Sequence, residues 1–170
     1  SIHYSSIYGG EEYNAQYEWV GWREPNFHLA RFWSPGLLVK APLGKLVPET
    51  DYPVRIMDSF SVKKIAEPAP GKFMYDFGQN ISGIVSLKVK GRAGQTIKLI
   101  PAELTNTQGL SNQAATGDPF FYTYTLGSDE VEYWQPRFTY YGFRYVQVEG
   151  AVPSDSNSQS DLPRIIELKA

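Results

Sequence analysis

Acidic side chains are the first candidates for chemistry, because several of them stand in close pairs along the chain. The pairs are Glu11/Glu12, Asp129/Glu130 and Glu130/Glu132. Hydrolysis of a glycosidic bond uses two carboxyl groups about 5–10 Å apart, one of them with a raised pKa. No pair is flanked on both sides by apolar or aromatic residues that would exclude water and raise a pKa. We therefore expect solvated carboxylates in turns and at strand edges, and the sequence predicts no catalytic residue.

Histidine and cysteine supply little further chemistry. The chain has two histidines, His3 and His28, and no cysteine, which excludes disulfides, thiolate zinc sites and cysteine nucleophiles. Neither histidine is grouped with residues that would complete a metal site or a Ser-His-Asp triad. Calcium takes oxygen ligands, which Asp76 with Asn80, or Asp118 with neighbouring carbonyls, could supply. No run has acidic residues at alternate positions, so we expect no metal and no cofactor, with a structural calcium ion as the alternative.

Aromatic residues are abundant, at 15% of the chain. Tryptophan and tyrosine rings stack on the faces of sugars, but they are also a common filling of the core between two sheets. For Trp19, Trp22, Trp33 and Trp134 we predict packing in a core or between domains. A carbohydrate-stacking platform is the alternative for the same four residues.

Composition and charge are those of an ordinary globular domain. The net charge is -2 and 20% of the residues are charged, which gives no electrostatic reason to expect nucleic acid or an acidic membrane as a partner. The apolar stretches are far shorter than the roughly 18 residues of a membrane span. A chain of this length has room for one domain and a small additional region.

Short strands separated by glycine and proline turns dominate the chain after residue 70. In residues 85–90, Val85, Leu87 and Val89 are predicted to face a core, because alternate side chains of a strand point to one side. The residues predicted to face solvent are Ser86, Lys88 and Lys90. Many such strands at a spacing of about 8–12 residues predict an all-β fold, an antiparallel β-sandwich with little or no helix.

A second near-alternation of apolar residues precedes these strands. It consists of Val54, Ile56, Phe60, Val62 and Ile65. This pattern predicts one long half-buried strand between residues 54 and 65.

Two motifs resemble one family. Tyr75–Gly83 is similar to the "YDFGQN(I/M)xG" signature of bacterial α-L-rhamnosidases of glycoside hydrolase family 78. Pro136–Val146 resembles the "PRFTYHGFRYV" block of the same family, with Tyr141 in place of its usual histidine. Two weaker similarities accompany them. They are Gly94–Thr96 with Ala102–Glu103, similar to "GxxV/I…aE", and Gly10–Gln16, a looser match to "GExYDAR".

The resemblance implies a concanavalin-like, or jelly-roll, accessory sandwich that precedes an (α/α)6 catalytic barrel. The parent would be a periplasmic or extracellular enzyme that hydrolyses terminal α-L-rhamnosyl linkages with inversion, its catalytic acids lying in the barrel. The partner of this domain is then the catalytic domain of the same polypeptide, and this fragment alone is expected to be inactive. An independent carbohydrate-binding module recognising rhamnose-containing glycans is the alternative, and an immunoglobulin-type adhesion module is a weaker one.

Seven motif residues are expected to serve the structure of the domain rather than a ligand. They are Asp76, Gly78, Gln79, Asn80, Arg137, Gly142 and Arg144. Gly78 and Gly142 stand where the chain must turn or let another backbone approach. An arginine among aromatic residues needs a carboxylate, a carbonyl or a ring face as partner, so Arg137 and Arg144 are expected to act as buried structural clamps, with ligand binding as the alternative.

The same reasoning divides the chain into three parts. Residues 1–50 are predicted to be the end of a preceding module packed on the sandwich, because their aromatic residues follow no period. Residues 51–150 form the sandwich itself. Residues 151–170 are predicted to be a polar linker and a final strand that leads toward the catalytic domain, and both ends of the chain are expected to be cuts in a longer one.

Overall fold

The computed structural model describes residues 1–27, 34–115, 119–157 and 160–170. In this part of the chain there are thirteen β-strands and one turn of 3-10 helix, Ala15–Tyr17, and no helix is long and apolar enough to cross a membrane. The strands in chain order are β1 (Ile2–Ser6), β2 (Gly10–Asn14), β3 (Lys64–Ala69), β4 (Lys72–Gly83), β5 (Ser86–Lys90), β6 (Thr96–Ala102), β7 (Leu104–Thr105), β8 (Ser111–Asn112), β9 (Phe121–Thr125), β10 (Val131–Trp134), β11 (Tyr141–Glu149), β12 (Val152–Pro153) and β13 (Arg164–Lys169).

Two sheets face each other across one core. The larger has the order β1-β2-β9-β6-β11-β4-β3 and the smaller the order β10-β5-β13-β12, with β7 and β8 paired separately. The strand pairs are antiparallel except β2–β9 and β12–β13, which are parallel. The core takes Phe77, Leu99 and Phe143 from the larger sheet and residues of β5 and β13 from the smaller. The predicted all-β sandwich is therefore confirmed.

The alternation predicted for residues 85–90 is confirmed. Val85, Leu87 and Val89 are completely buried in the core, whereas Ser86 and Lys90 are exposed and Lys88 is half-buried. Strand β5 lies between β10 and β13, so its backbone is paired on both edges while one face remains open to solvent.

The long strand predicted between residues 54 and 65 is wrong. Val54 and Ile56 are exposed and belong to no strand, and β3 begins only at Lys64. Phe60 exchanges two backbone hydrogen bonds with Ala170, and Phe60 and Val62 pack against the core. Alternating apolar residues indicate which face of a strand would be buried. A strand also needs a neighbouring strand to pair with its backbone N–H and C=O groups. Among the described residues that neighbour exists only from about Phe60 onward.

The compact units differ from the three predicted segments. One unit consists of Ser1–Glu18 together with Met57–Ala170, and the other of Trp19–Ile56. Strands β1 and β2 are part of the larger sheet, and β12 and β13 are part of the smaller one. The sandwich thus includes strands on both sides of the predicted 51–150 domain, because β2 pairs with β9 and β13 pairs with β5.

Candidate functional site

The two family-like motifs lie side by side in the larger sheet. Strand β4 carries the first and β11 the second, and their antiparallel register pairs Asp76 with Tyr145 and Ile81 with Phe143. Residues 77–80 of β4 therefore lie opposite the single residue Arg144 of β11. This is a large β-bulge, which bends the strand and displaces the extra residues from the ladder.

Asp76 holds this bulge closed. Its Oδ1 atom accepts hydrogen bonds from the Gly78 backbone N–H at 2.7 Å and from Arg144 Nε at 2.8 Å, and its Oδ2 atom accepts one from Arg144 Nη2 at 3.0 Å. The bond from Arg144 holds the pKa of the Asp76 carboxyl below its usual value. Gly78 has a φ of 85°, a left-handed conformation that glycine adopts without steric cost. Hydrogen bonds thus join Asp76, Gly78 and Arg144 at the bulge.

A second contact joins the outer part of the bulge to Glu103, which lies between β6 and β7. Asn80 Nδ2 donates a hydrogen bond to Glu103 Oε1 at 2.6 Å. A Cβ atom on Gly142 would lie 3.3 Å from the same oxygen, so glycine leaves room for the Glu103 carboxylate. Gln79 and Asn80 are exposed. The three family-like segments at residues 75–83, 102–103 and 141–146 therefore meet around this bulge.

The oxygen atoms proposed as calcium ligands have other partners. The Asp76 carboxylate faces the Arg144 guanidinium, whose positive charge opposes a cation at the same place. Asn80 turns its amide nitrogen toward Glu103. Asp118 lies outside the described residues. Within the described ranges no group of three or more histidine, cysteine, aspartate or glutamate side chains is placed to hold a metal ion.

Arg137 lies away from the bulge and has partners of its own. One guanidinium nitrogen, Nη2, is 3.7 Å from Glu18 Oε1, and the guanidinium carbon is 5.5 Å from the centre of the Tyr13 ring. The Arg137 backbone N–H donates a hydrogen bond to Glu11 Oε2 at 3.1 Å. Arg137 thus has a carboxylate and a ring face as neighbours, but about half of its side chain is exposed, so it is not buried as predicted.

The prediction that Glu11 is solvated is wrong, because its exposed fraction is 0%. Glu11 and the core residue Tyr13 share one face of β2, and β2 lies inside the larger sheet between β1 and β9. Its Oε2 atom accepts hydrogen bonds from Ser5 and Arg137, while Oε1 accepts none from the described residues. The long-range pairing of β2 with β9 leaves no signal near Glu11 in the sequence.

Glu132 is also more enclosed than a solvated edge carboxylate. It accepts hydrogen bonds from the Tyr124 hydroxyl at 2.8 Å, the Ser128 hydroxyl at 2.8 Å and the Gly127 backbone N–H at 3.1 Å. Burial raises the pKa of the Tyr124 hydroxyl, and the bond to Glu132 raises it further. Three donors on one carboxylate indicate that Glu132 closes the turn between β9 and β10. Glu12, Asp129 and Glu130 are exposed, as predicted.

The tryptophans divide between the core and the surface. Trp134 is 6% exposed, and its ring centre lies 5.3 Å from that of Tyr124 and 6.0 Å from that of Tyr122. Trp22 is 52% exposed and Trp19 is 38% exposed. Trp33 lies outside the described residues.

A cleft of about 280 Å³ opens beside Trp134. We call it the aromatic cleft, and its main lining residues are Tyr13, Glu18, Tyr124, Trp134, Gln135 and Arg137. Ser86 and Tyr133 complete its wall. The Trp134 Nε1–H group is buried and has no acceptor among the described residues. Sequence reasoning singled out Trp134 and Arg137 but not the other lining residues, because β2, β9 and β10 come together only in the folded sandwich.

Comparison with known proteins gives concordant results. The family model of the bacterial alpha-L-rhamnosidase concanavalin-like domain matches residues 66–166. An alpha-L-rhamnosidase of Streptomyces avermitilis is 38% identical over 176 aligned positions, which cover 98% of this chain and 16% of that protein.

Solved structures share the fold as well as the sequence. The alpha-L-rhamnosidase from Dictyoglumus thermophilum superposes with a TM-score of 0.82 at 33% identity, covering 99% of this chain and 18% of that one. The Streptomyces avermitilis alpha-L-rhamnosidase complexed with L-rhamnose gives 0.81 at 36% identity, covering 97% of this chain and 16% of that one. The chain spans less than a fifth of these relatives. On the matched family model, the identity and the shared sandwich, the chain belongs to the bacterial alpha-L-rhamnosidase concanavalin-like domain family.

Proposed function

We propose that this chain is the non-catalytic β-sandwich domain of an α-L-rhamnosidase, and that it packs against and orients the (α/α)6 catalytic barrel of the same polypeptide. The barrel would carry the acids that hydrolyse terminal α-L-rhamnosyl linkages. Supporting this, the related enzymes are five to six times longer than this chain, which covers 16–18% of their length.

The carboxylates of the described residues support a non-catalytic role. Asp76 is bound by Arg144, Glu11 is buried inside the sheet, and Glu132 accepts three hydrogen bonds in a turn. The aromatic cleft has one carboxylate, Glu18, among its lining residues. Glycoside hydrolysis by the common mechanisms needs two carboxyl groups on opposite sides of the scissile bond, and no such pair lines this cleft.

The observation that carries the packing role is a run of exposed apolar side chains. They are Leu37, Leu38, Val39, Leu43, Leu46, Val47, Tyr52, Val54, Ile56 and Met57. The described residues from Ser34 to Ser59 form no strand or helix. These apolar side chains therefore do not pack within a sheet or helix formed by this segment. Exposed apolar side chains in this number favour an interaction site, and the rest of the polypeptide is the occupant we propose.

Hydrogen exchange tests this proposal on residues 37–57. In the isolated chain their backbone amides should exchange fast, because they pair in no sheet. In the full-length polypeptide the same amides should exchange much more slowly, because the neighbouring domain covers them. Strand β5 is the internal control and should be protected in both. Equally fast exchange of residues 37–57 in both proteins would contradict the packing proposal.

Carbohydrate binding is the second candidate function, and the aromatic cleft is the observation that favours it. Its walls combine four aromatic side chains, of which Tyr133 is exposed and the other three are buried, with charged and amide side chains. Such a combination of apolar surface with a few polar groups is typical of small-molecule sites. This role is compatible with packing against the catalytic domain, because the exposed apolar run contains none of the residues that line the cleft.

A further inference from the structure

One end of the sandwich brings together both family-like motifs and the last residue of the chain. Strand β4 ends there at Gly83, which pairs with Tyr141, the first residue of β11. Strand β5 begins there at Ser86, which pairs with Lys169 of β13. We call this the motif end. The exposed motif side chains at or next to it include Gln79, Asn80, Phe138 and Tyr140.

Two aromatic side chains point outward from the loop that joins β10 to β11. Phe138 is 68% exposed and Tyr140 is 62% exposed, whereas Thr139 between them is 4% exposed. The loop is also fixed near its start, because the Arg137 backbone N–H donates a hydrogen bond to the buried Glu11 carboxylate at 3.1 Å. The anchored loop thus presents both rings to the outside.

The sandwich does not hold these exposed side chains in place. Among the described residues, the side chains of Gln79, Phe138 and Tyr140 make no hydrogen bond, ion pair or ring contact. Asp76 and Arg144 of the same motifs differ, because they bind each other. Exposed aromatic surface that the domain itself leaves uncovered favours a contact with a partner.

The composition of the motif end fits an interface between domains. Aromatic residues are enriched, and charged residues depleted, in the buried part of such interfaces. The Gln79 amide adds a donor and an acceptor. The nearby charged groups already have partners, since Glu103 accepts a hydrogen bond from Asn80, and Arg137 Nη2 lies 3.7 Å from Glu18 Oε1. A fitting partner therefore presents apolar side chains with backbone or amide hydrogen-bonding groups rather than a charged surface.

The path of the chain leads to the same end. Ala170 directly follows Lys169 and exchanges two backbone hydrogen bonds with Phe60, so it lies beside the start of β5. A domain that continues from Ala170 would therefore begin next to the motif end. The related enzymes leave room for a large neighbouring domain, because this chain covers only 16–18% of their length.

We infer that the motif end is the surface through which the sandwich contacts the catalytic domain. Phe138 and Tyr140 are the apolar anchors of this contact, and Gln79 is a hydrogen-bonding group beside them. The inference rests on the proposed function, and it adds a contact surface made of other residues than 37–57. The two motifs then have two roles. Their ion pair holds the bulge, and their exposed side chains meet the partner.

Hydroxyl-radical labelling of aromatic side chains, read by mass spectrometry, tests the inference on the unchanged proteins. In the full-length polypeptide the labelling rates of Phe138 and Tyr140 should be at least about fivefold lower than in the isolated chain, because an interface core excludes water. Tyr17 is the matched control, since it is 61% exposed and follows β2 at the opposite end of the sandwich. Its rate should be the same in both proteins.

Tyr140→Ser tests whether the two rings act as anchors. In the full-length polypeptide this substitution should raise the labelling rate of Phe138 at least about threefold, because loss of an aromatic anchor weakens an interface. In the isolated chain it should leave the Phe138 rate and the urea midpoint of unfolding unchanged, since Tyr140 is exposed there. Tyr17→Ser is the matched control variant and should leave the Phe138 rate unchanged in the full-length polypeptide.

Equal labelling of Phe138 and Tyr140 in the isolated chain and in the full-length polypeptide would overturn the inference. So would labelling that falls in the isolated chain as its concentration rises but falls no further in the full-length polypeptide, which would place a second copy at this end. If residues 37–57 are protected from hydrogen exchange while the motif end stays fully labelled, the packing role stands and only this surface is wrong. Failure of the inference is therefore distinguishable from failure of the proposed function.

Discussion

Replacing Gly10 with alanine is expected to destabilise the domain by about 3–5 kcal/mol, or to prevent its folding, through steric overlap and backbone strain. An alanine Cβ at this position would lie 1.8 Å from the carbonyl oxygen of Phe121, far inside van der Waals contact. The φ of Gly10 is 95°, a backbone angle that residues other than glycine rarely adopt. Gly10 is also the residue at which the parallel pair of β2 and β9 begins, so the strain cannot be relieved without separating the two strands.

Gly83→Ala is the matched control for this variant. Gly83 is at the end of β4, its φ is not positive, and a Cβ there would meet nothing within 4 Å. We expect its free energy of unfolding in urea to change by less than about 0.5 kcal/mol. Equal stability of the Gly10→Ala and Gly83→Ala proteins would mean that β2 and β9 do not approach as closely as described.

Leu87→Ala is expected to lower the free energy of unfolding by about 2–5 kcal/mol, because it removes buried methyl groups and leaves a cavity. Leu87 is completely buried, and it lies between the paired residues Trp134 of β10 and Leu168 of β13. The smaller sheet therefore depends on this side chain to fill the core between its central strands.

Lys90→Ala, on an exposed position of the same strand, serves as the control and should change the unfolding free energy by less than about 0.5 kcal/mol. Urea unfolding monitored by far-ultraviolet circular dichroism measures both variants in the same way. A loss below about 0.5 kcal/mol for Leu87→Ala would indicate that β5 is shifted by one residue, because such a slip moves every side chain to the opposite face.

The parts of the fold that could be predicted from sequence are those with local signals. Alternation in residues 85–90 defined the buried face of β5, and the glycine-rich turns indicated many short strands. The glycine and arginine residues of the motifs also gave local signals. Gly78 was expected where the chain turns and has a left-handed φ, and Arg144 was expected to need a partner that proves to be Asp76.

Long-range pairing is what the sequence did not reveal. Glu11 looked like a solvated carboxylate because apolar or aromatic residues do not flank it on both sides, and only the position of β2 between β1 and β9 buries it. The wrong prediction of a strand at residues 54–65 also reflects long-range pairing, because the first part of that segment has no neighbouring strand to pair with. The aromatic cleft combines residues from β2, β9 and β10 with Glu18 and Arg137, and no short stretch of sequence contains this set.

Hydrolysis of p-nitrophenyl α-L-rhamnoside by this chain alone tests most directly whether catalysis resides outside it. At any concentration of the isolated chain, we predict no release of p-nitrophenol above the rate in buffer. The full-length polypeptide should hydrolyse the same substrate. The carboxylates to be changed in the comparison are Glu18, which lines the cleft, and Glu132, which faces Tyr124. Turnover by the isolated chain that disappears in Glu18→Gln or Glu132→Gln would contradict the assignment of a non-catalytic domain.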